Sequence, residues 1–196
     1  FDPVHVGHIR AAIEAQIVLQ PEVIKFLPCH IPPHKDEPTA SAAQRVEMLH
    51  MAIAPLEARL HAGGESSIVE LDQRELAWDK PSYTIDTIAS LRRDYPDMSI
   101  AWLVGMDSFV TLSRWHQWQA LCEQAHLVVV RRPGDDLPKS GLVHEWAQAK
   151  YCRASALVQS RSGRVCILPS APLDISSSRL RQMLARGDNV DYLLPE

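Results

Sequence analysis

The sequence has little cysteine, no excess of positive charge and no long apolar run. Its cysteines, Cys29, Cys122, Cys152 and Cys166, form no C-x-x-C pair, so neither a zinc ribbon nor a disulfide framework is indicated. The formal net charge of −4 at pH 7 argues against a broad basic surface for nucleic acid and leaves room for one local cationic pocket. We therefore expect a cytoplasmic protein that binds no nucleic acid.

No apolar stretch is long enough to span a bilayer, and the first residues lack the charged-then-apolar pattern of an export signal. Hydrophobic residues make up 46% and charged residues 22% of the chain, which is ordinary for a globular protein. These proportions and the length predict a single domain over residues 1–196, with no membrane partner.

Periodic apolar residues predict alternating helices and strands. One helix is expected from about Gly7 to Leu19, and a second from a capping box of Ser41 and Gln44 to Pro55. Later helices are expected around TIDTIASL and over SSSRLRQMLAR, the last closed by Gly187. The predicted strands are the runs PEVIKFLPC, SSIVELD, SIAWLVG, HLVVVRRPG and VCILP.

These strands are continuous apolar runs, which is typical of a parallel sheet covered by helices on both faces. The pattern predicts the α/β class with a doubly wound parallel sheet. Ligands of such folds bind beyond the carboxyl ends of the strands. Residues that directly follow a strand are therefore candidates for the functional site.

The stretch HVGH stands at the head of the first predicted helix. Unpaired amides and the positive end of the helix dipole attract phosphate there, Gly7 permits close approach, and two imidazoles stabilise charge as a polyphosphate bond breaks. The residues alone leave two alternatives open. His5 and His8 are surface residues of a loop–helix junction, or they form a zinc site with His30 and His34.

FDPVHVGH resembles the end of the GGTFDPVHxGH segment of the nicotinate mononucleotide adenylyltransferases, which are H-x-G-H nucleotidyltransferases. Six further blocks follow in the family's order: PPHK (32–35), KPSYTIDT (80–87), LVGMDSF (103–109), RWHQW (114–118), VVVRRPG (128–134) and ISSSRLR (175–181). The resemblance implies one Rossmann-like nucleotidyltransferase domain over residues 1–196. It also implies that the first strand, its Gly-Gly-Thr segment and the C-terminal end are missing from this sequence.

The family resemblance implies transfer of AMP from ATP to nicotinate mononucleotide, giving deamido-NAD and pyrophosphate in NAD biosynthesis. The substrate phosphate attacks the α-phosphorus, so no protein nucleophile is needed, and Mg²⁺ is expected to be held by substrate and water with no metal site of the protein. The expected catalytic residues are His5, His8 and Arg181. The expected ATP-binding residues are His5, Gly7, His8, Gly105, Asp107, Ser177 and Arg181.

Local sequence supports each ATP-binding assignment. ISSSRLR supplies hydroxyls and amides at a second helix N-terminus, and Arg181 lies four residues after Ser177 on the same helical face. Gly105 and Asp107 directly follow a strand, where Gly105 permits backbone approach and Asp107 can accept hydrogen bonds from ribose hydroxyls. On sequence alone, Asp107 is as readily an N-cap.

The resemblance assigns Lys35, Thr84, Trp115 and His116 to the mononucleotide. Lys35 ends a proline-rich loop and is expected at the phosphate, although a solvated lysine fits the sequence equally well. Thr84 is expected near the pyridine carboxylate, with helix capping as its alternative. The role of His34 beside Lys35 stays open.

An indole offers a flat surface on which a pyridine ring can stack. Of Trp115 and Trp118, we expect Trp115 to take that place and the other to lie in the core. The family often has tyrosine where this chain has His116, so only a backbone contact to the carboxylate survives the change. Asp86 is expected to complement the helix dipole.

Three rival functions stay open. Other enzymes with the H-x-G-H motif act on nicotinamide mononucleotide or phosphopantetheine, and the motif alone does not separate them. SYTIDT and RWHQW favour a pyridine nucleotide. An aminoacyl-tRNA synthetase fragment is disfavoured by the acidic balance and the lack of a tRNA-binding domain. A catalytically silent nucleotide sensor is disfavoured because a binder needs no stabilisation of a leaving group. Nothing in the sequence indicates the oligomeric state.

Overall fold

The structure, a computed structural model, describes residues 1–33, 38–64, 68–131, 139–169, 173 and 175–195. Along these residues, helices and strands follow one another largely as the sequence predicts, with three additional helices, of which two lie together between the third and fourth strands. The helices are α1 (Val6–Leu19), α2 (Ala42–Ala62), α3 (Thr84–Asp94), α4 (Met106–Val110), α5 (Leu121–Gln124), α6 (Leu142–Lys150) and α7 (Ser177–Arg186). The strands are β1 (Val23–Phe26), β2 (Ile68–Leu71), β3 (Ala101–Gly105), β4 (His126–Arg131) and β5 (Val165–Pro169).

Within those ranges, every helix is too short or too polar to cross a bilayer. The chain divides into two compact units. The first unit comprises Phe1–Ser82 and Leu173–Glu196, and the second unit comprises Tyr83–Pro172. The single nucleotidyltransferase domain expected over residues 1–196 stays a prediction.

The first unit contains a β-α-β arrangement built on β1, α2 and β2. The two strands pair in parallel, with Val23 opposite Ile68 and Phe26 opposite Leu71. Phe26 and Val69 are buried against the apolar face of α2. The core residues that α2 contributes are Leu49, Ala52, Ile53, Leu56 and Leu60.

The prediction that Pro55 ends the second helix is wrong, because α2 continues to Ala62. An interior proline removes one hydrogen bond and costs about 3 kcal/mol. Beyond it, Leu56 and Leu60 are only 3% and 2% exposed, and burying each leucine contributes roughly 1.5–3 kcal/mol. Burial of these two side chains therefore offsets the proline. Pro55 and Met51, one turn before it, are exposed, so water can reach the carbonyl that lost its partner.

The second unit contains a three-stranded parallel sheet in the order β3-β4-β5. Ala101 lies opposite His126, and Leu127 lies opposite Val165. Val129 of the central strand packs in one cluster with Ile88 of α3 and Phe109 of α4. All pairings between the described strands are parallel, which confirms the predicted α/β class.

Two predicted helix ends are also confirmed. At the start of α2, the Ser41 amide donates to Gln44 Oε1 at 2.9 Å and the Gln44 amide donates to Ser41 Oγ at 3.2 Å. At the end of α7, Gly187 adopts a left-handed conformation with φ of 73° and donates its amide to the Leu184 carbonyl at 3.1 Å. Glycine adopts this conformation without strain.

Candidate active site

The HVGH stretch forms a packed pair of imidazoles at the start of α1. His5 is the N-cap residue, and the helix begins at Val6. The His5 and His8 rings stack with their centroids 3.7 Å apart and their planes at 30°. His5 is only 3% exposed, so the alternative of two surface histidines is wrong for His5. His8 is half-buried.

Gly7 provides the space that this pair requires. A Cβ at Gly7 would lie 2.9 Å from His5 Nδ1 and 3.0 Å from His5 Cε1, which is closer than real Cβ atoms approach such neighbours. Any other residue at position 7 would displace the His5 ring. The structure therefore gives this glycine a packing role, whereas its expected contact with ATP stays a prediction.

Backbone hydrogen bonds fix the orientation of His8. Its Nδ1 lies 3.2 Å from the His5 amide, which donates to it, and the His8 amide donates to the His5 carbonyl at 2.9 Å. An Nδ1 that accepts a hydrogen bond carries no proton, so Nε2 carries it in the neutral ring. The Phe1 ring packs edge-on against His8 at 4.8 Å. The neutral His8 ring is therefore held in place with its proton on Nε2.

The amides at the start of α1 are only partly available to a ligand. The Val6 amide donates to the Leu193 carbonyl at 3.1 Å. The Gly7 amide has no acceptor within the described ranges. The expectation of a fully open helix N-terminus thus holds for Gly7 and not for Val6.

The N-terminus of α7 is the second positively polarised feature of the first unit. Ser176 is the N-cap, and its Oγ accepts from the Arg179 amide at 3.3 Å. The Ser177 hydroxyl donates to the Pro3 carbonyl at 2.9 Å, so this hydroxyl docks the helix. In the part of the chain that the structure describes, the Ser177 and Ser178 amides have no acceptor. These two N–H groups can take an anion.

Arg181 lies half-buried on α7 with donors to spare. Its Nη1 donates to the Asp2 carbonyl at 2.5 Å and its Nη2 donates to Ser178 Oγ at 3.4 Å. A guanidinium has five N–H groups, so N–H groups remain beyond these two bonds, although Nη1 also lies 3.5 Å from Asp2 Oδ2. The side chain is 38% exposed, which lets a phosphate reach it.

One short segment connects these groups. Asp2 and Pro3 contact α7 through Arg181 and Ser177, and His5 stands two residues after Pro3. The structure therefore brings most of the expected ATP-binding residues of the first unit to one segment. Asp2 was missed by the sequence analysis, since its role depends on residues more than 170 positions away, such as Arg181.

The loop after β1 is held by a second set of contacts that sequence reasoning missed. Ser82 Oγ accepts from the His30 amide at 3.1 Å, and the Ser82 amide donates to the Ile31 carbonyl at 2.9 Å. His30 Nδ1 lies 2.9 Å from the Trp78 carbonyl oxygen. Ser82 therefore anchors this loop from the segment before α3.

Two expected residues of the same loop, His34 and Lys35, lie outside the described residues. Of the alternative zinc ligands His5, His8, His30 and His34, the structure describes the first three, so this zinc site stays a prediction. Elsewhere, the described ranges contain no group of three or more His, Cys, Asp or Glu side chains placed to hold a metal ion. The expectation of no protein metal site stays a prediction.

In the second unit, Gly105 and Asp107 lie where β3 ends and α4 begins. Gly105 is the N-cap of α4, so the alternative of Asp107 as an N-cap is wrong. A Cβ at Gly105 would lie 2.6 Å from Asp107 Oδ1, which means that the glycine leaves space for that carboxylate. Asp107 is exposed, and its oxygens are open to a hydroxyl-bearing ligand.

The expected mononucleotide residues of the second unit come together around one ring contact. Tyr83 and His116 lie with their ring centroids 4.7 Å apart. Thr84 follows Tyr83 as the first residue of α3, and Trp115 precedes His116. The N-cap is Tyr83 without a side-chain hydrogen bond, so the capping alternative for Thr84 is wrong.

Trp115 and Trp118 differ less in burial than expected. Trp115 and Trp118 are both half-buried against the same core, whereas one was expected inside and the other outside. Trp118 packs edge-on against Trp146 at 5.1 Å between ring centroids. Asp86 is half-buried in the first turn of α3, the position at which a carboxylate complements the helix dipole.

Comparisons with known proteins identify the family of the chain. The cytidylyltransferase-like family matches residues 1–183. A protein of Aeromonas salmonicida named "Probable nicotinate-nucleotide adenylyltransferase" is 43% identical over 100% of this chain and 87% of its own length. A protein of Cellvibrio japonicus with the same name is 39% identical over 100% and 89%.

The fold is shared with a solved structure of low sequence identity. The nicotinic acid mononucleotide adenylyltransferase of Plasmodium falciparum, complexed with NaAD, matches with a TM-score of 0.67 at 14% identity. The match covers 97% of this chain and 83% of that one. At this identity the likeness concerns the fold, and it confirms the Rossmann-like class predicted from the sequence.

Proposed function

The chain belongs to the nicotinate-nucleotide adenylyltransferases of the cytidylyltransferase-like family, and we propose that His5, His8 and Arg181 stabilise the transferring phosphates. Its reaction joins ATP and nicotinate mononucleotide and gives deamido-NAD and pyrophosphate. The sequence prediction of this activity is confirmed by the full-length relatives.

The observation that carries the proposal is the contact of α7 with Asp2 and Pro3, a few residues before the donors of Gly7 and His8. A fixed His8 ring, the Gly7 amide, two open amides of α7 and the spare N–H groups of Arg181 all lie in the first unit. All of these groups donate hydrogen bonds, and the one carboxylate beside them, that of Asp2, is already paired with the Thr39 and Ala40 amides and with Arg181. Such an arrangement favours a polyphosphate over any cationic or neutral ligand.

The mechanism requires alignment and charge stabilisation from these residues. The mononucleotide phosphate is already an anion near pH 7, so it attacks the α-phosphorus without a protein base. Negative charge grows on the departing pyrophosphate, and the His8 Nε2–H and Arg181 guanidinium donate to its oxygens. Each preorganised donor of this kind is worth about 10²–10³-fold in kcat. Ser177 contributes through its amide, because its hydroxyl is bonded to Pro3.

We place Mg²⁺ with the ATP substrate. The Asp2 carboxylate accepts the amides of Thr39 and Ala40 and lies 3.5 Å from Arg181 Nη1, so it is engaged by protein donors. The donors around it are cationic or N–H groups, which suit phosphate oxygens and not a bare cation. Bound together with ATP, Mg²⁺ would supply further neutralisation of phosphate charge, beside the donors of His8 and Arg181.

For the acceptor, we propose Lys35 at the phosphate, Thr84 near the pyridine carboxylate and Trp115 as the stacking surface. His116 contributes its backbone amide. Gly105 and Asp107 are proposed at the nucleoside of ATP, where the exposed Asp107 carboxylate accepts from ribose hydroxyls. We further propose that the protein acts in the cytoplasm on small molecules and binds no nucleic acid.

The test is a pyrophosphate-release assay with ATP, Mg²⁺ and one acceptor at a time. We expect release with nicotinate mononucleotide, slower release with nicotinamide mononucleotide and none with phosphopantetheine. The preference follows from the acceptor's carboxylate, which the neutral amide lacks. Binding of a dinucleotide without any release of pyrophosphate would contradict the adenylyltransferase activity and indicate a nucleotide sensor.

A further inference from the structure

Asp2 is bound from both sides by groups of the first unit. Its Oδ2 accepts from the Thr39 amide at 2.9 Å, and its Oδ1 accepts from the Ala40 amide at 3.1 Å. Both carboxylate oxygens are therefore fixed by consecutive amides just before α2. Hydrogen bonds from backbone amides to a charged acceptor are among the stronger ones in proteins.

The same residue holds Arg181. The Asp2 carbonyl accepts from Arg181 Nη1 at 2.5 Å, and Asp2 Oδ2 lies 3.5 Å from that nitrogen. A guanidinium is rigid and planar, so fixing one of its nitrogens sets the direction of its other N–H groups. Those are the groups left for a ligand.

From these contacts we propose that Asp2 is a positioning residue for the reaction. Its carboxylate, held by Thr39 and Ala40, fixes the carbonyl that aims Arg181 at the phosphates of ATP. Asp2 itself touches no substrate. The inference rests on the proposed function, since it assigns Asp2 to the arginine that acts on ATP.

The kinetic test is a double-mutant cycle of Asp2→Ala and Arg181→Ala in the pyrophosphate-release assay. Because Asp2 acts through Arg181, Asp2→Ala is expected to lower kcat/KM for ATP about tenfold in the unchanged background and to have no further effect when Arg181 is alanine. The KM for nicotinate mononucleotide should stay within about twofold. Additive losses in the double variant would overturn the proposal.

A conservative variant separates positioning from simple loss of fold. Asp2→Asn keeps one acceptor oxygen for one of the two amides, so its kcat/KM for ATP should lie between those of Asp2→Ala and the unchanged protein. Asp188→Asn is the matched control, because it also removes a carboxylate paired with an arginine of α7. It should leave kcat/KM unchanged. Asp2→Asn equal to the unchanged protein would contradict the role of the paired oxygens.

Amide hydrogen exchange tests the anchoring without any substrate. The Thr39 and Ala40 amides should exchange at least about tenfold faster in Asp2→Ala than in the unchanged protein, because each loses its acceptor. Equal exchange rates would overturn the proposal. If the unchanged protein releases no pyrophosphate with either pyridine mononucleotide, the proposed function fails and this inference fails with it.

Discussion

At the scale of single residues, the site depends on space as much as on chemical groups. His5, Gly7 and His8 pack together. Gly7 leaves room for the His5 ring, and the His8 ring stacks on the His5 ring. The sequence indicates glycine for ligand approach. The structure adds that a side chain at this position would move a buried imidazole.

Gly7→Ala tests this packing. Inside a helix, alanine is about 1 kcal/mol more favourable than glycine, yet here the added Cβ collides with His5. We expect Gly7→Ala to lower the free energy of unfolding by about 1–3 kcal/mol and to lower kcat. In a His5→Ala background the same change should stabilise the protein, as urea unfolding will measure. Destabilisation in both backgrounds would contradict the contact with His5.

Trp115 provides a second residue-scale prediction. If its indole stacks on the pyridine ring, Trp115→Ala should raise the KM for nicotinate mononucleotide about tenfold, since base–aromatic stacking is worth about 1–3 kcal/mol. Trp115→Phe should restore most of the affinity, because it keeps an aromatic face. Trp118→Phe is the matched control in the same core. Initial rates at saturating ATP measure both, and an unchanged KM in Trp115→Ala would reject the stacking.

At the scale of elements, burial decides where helices and strands persist. α2 continues through Pro55 because the leucines beyond it are buried. The central strand β4 is buried at four consecutive positions, whereas Ile68 on β2 is exposed. Continuous apolar sequence therefore indicates a strand, but it does not tell a central strand from one with an open face.

Pro55→Ala should stabilise the protein. The substitution restores the backbone N–H that α2 lacks at this exposed position. Its cost is the loss of the restriction that proline places on the unfolded chain, which is worth about 0.4–1 kcal/mol. We expect a net gain of roughly 2–3 kcal/mol in the free energy of unfolding. Ala58→Pro, one turn further along the same exposed side, should destabilise. A loss on Pro55→Ala would show that the helix is adapted to the proline.

His126 on β4 makes stability depend on pH. It is 1% exposed, its Nδ1 accepts from the Arg164 amide at 3.2 Å, and its Nε2 lies 2.8 Å from the Ser160 carbonyl. Burial lowers the pKa of this imidazole, and the backbone carbonyls of Ser160 and Leu157 oppose that shift, while Arg164 and Arg92 reinforce it. The folded state therefore holds the neutral ring.

Because the pKa of His126 is lower in the folded state than its ordinary 6.5, its contribution is fully present above that pH. It is lost as the pH falls and the unfolded chain takes up the proton. Urea unfolding should show a free energy that decreases from pH 7.5 to pH 5.5. His126→Gln should be less stable by about 1–3 kcal/mol at pH 7.5 and should depend less on pH. An identical pH slope in both proteins would exclude His126 as the cause.

At the scale of the whole molecule, local signals predicted most of the fold. Capping residues, terminating glycine and apolar runs placed α7, α2 and the strands because these features depend on neighbours in sequence. The contacts between Asp2 and Arg181, and between Ser82 and His30, join distant parts of the chain. No local sequence pattern indicates such long-range contacts. The sequence therefore identified the candidate site residues, but not the residues that hold them in place.

The same limit applies to the candidate site. Family blocks identified His5, His8 and Arg181, but only the structure shows that Asp2 and Pro3, just before α1, contact the first turns of α7. The Ser177 hydroxyl illustrates the difference. The sequence places Ser177 among three serines at the N-terminus of α7, where its hydroxyl is expected to face phosphate. In the structure this hydroxyl donates to the Pro3 carbonyl.

The most direct measurement of the central claim is kcat for pyrophosphate release by His8→Ala and Arg181→Ala, with ATP, Mg²⁺ and nicotinate mononucleotide at saturation. Arg186→Ala, at the exposed far end of α7, is the matched control. We predict that His8→Ala and Arg181→Ala each lower kcat about 10²–10³-fold at a temperature where thermal unfolding shows that the variant is folded, and that Arg186→Ala keeps full activity. A kcat within about threefold of the unchanged protein in either site variant would contradict phosphate stabilisation by that residue.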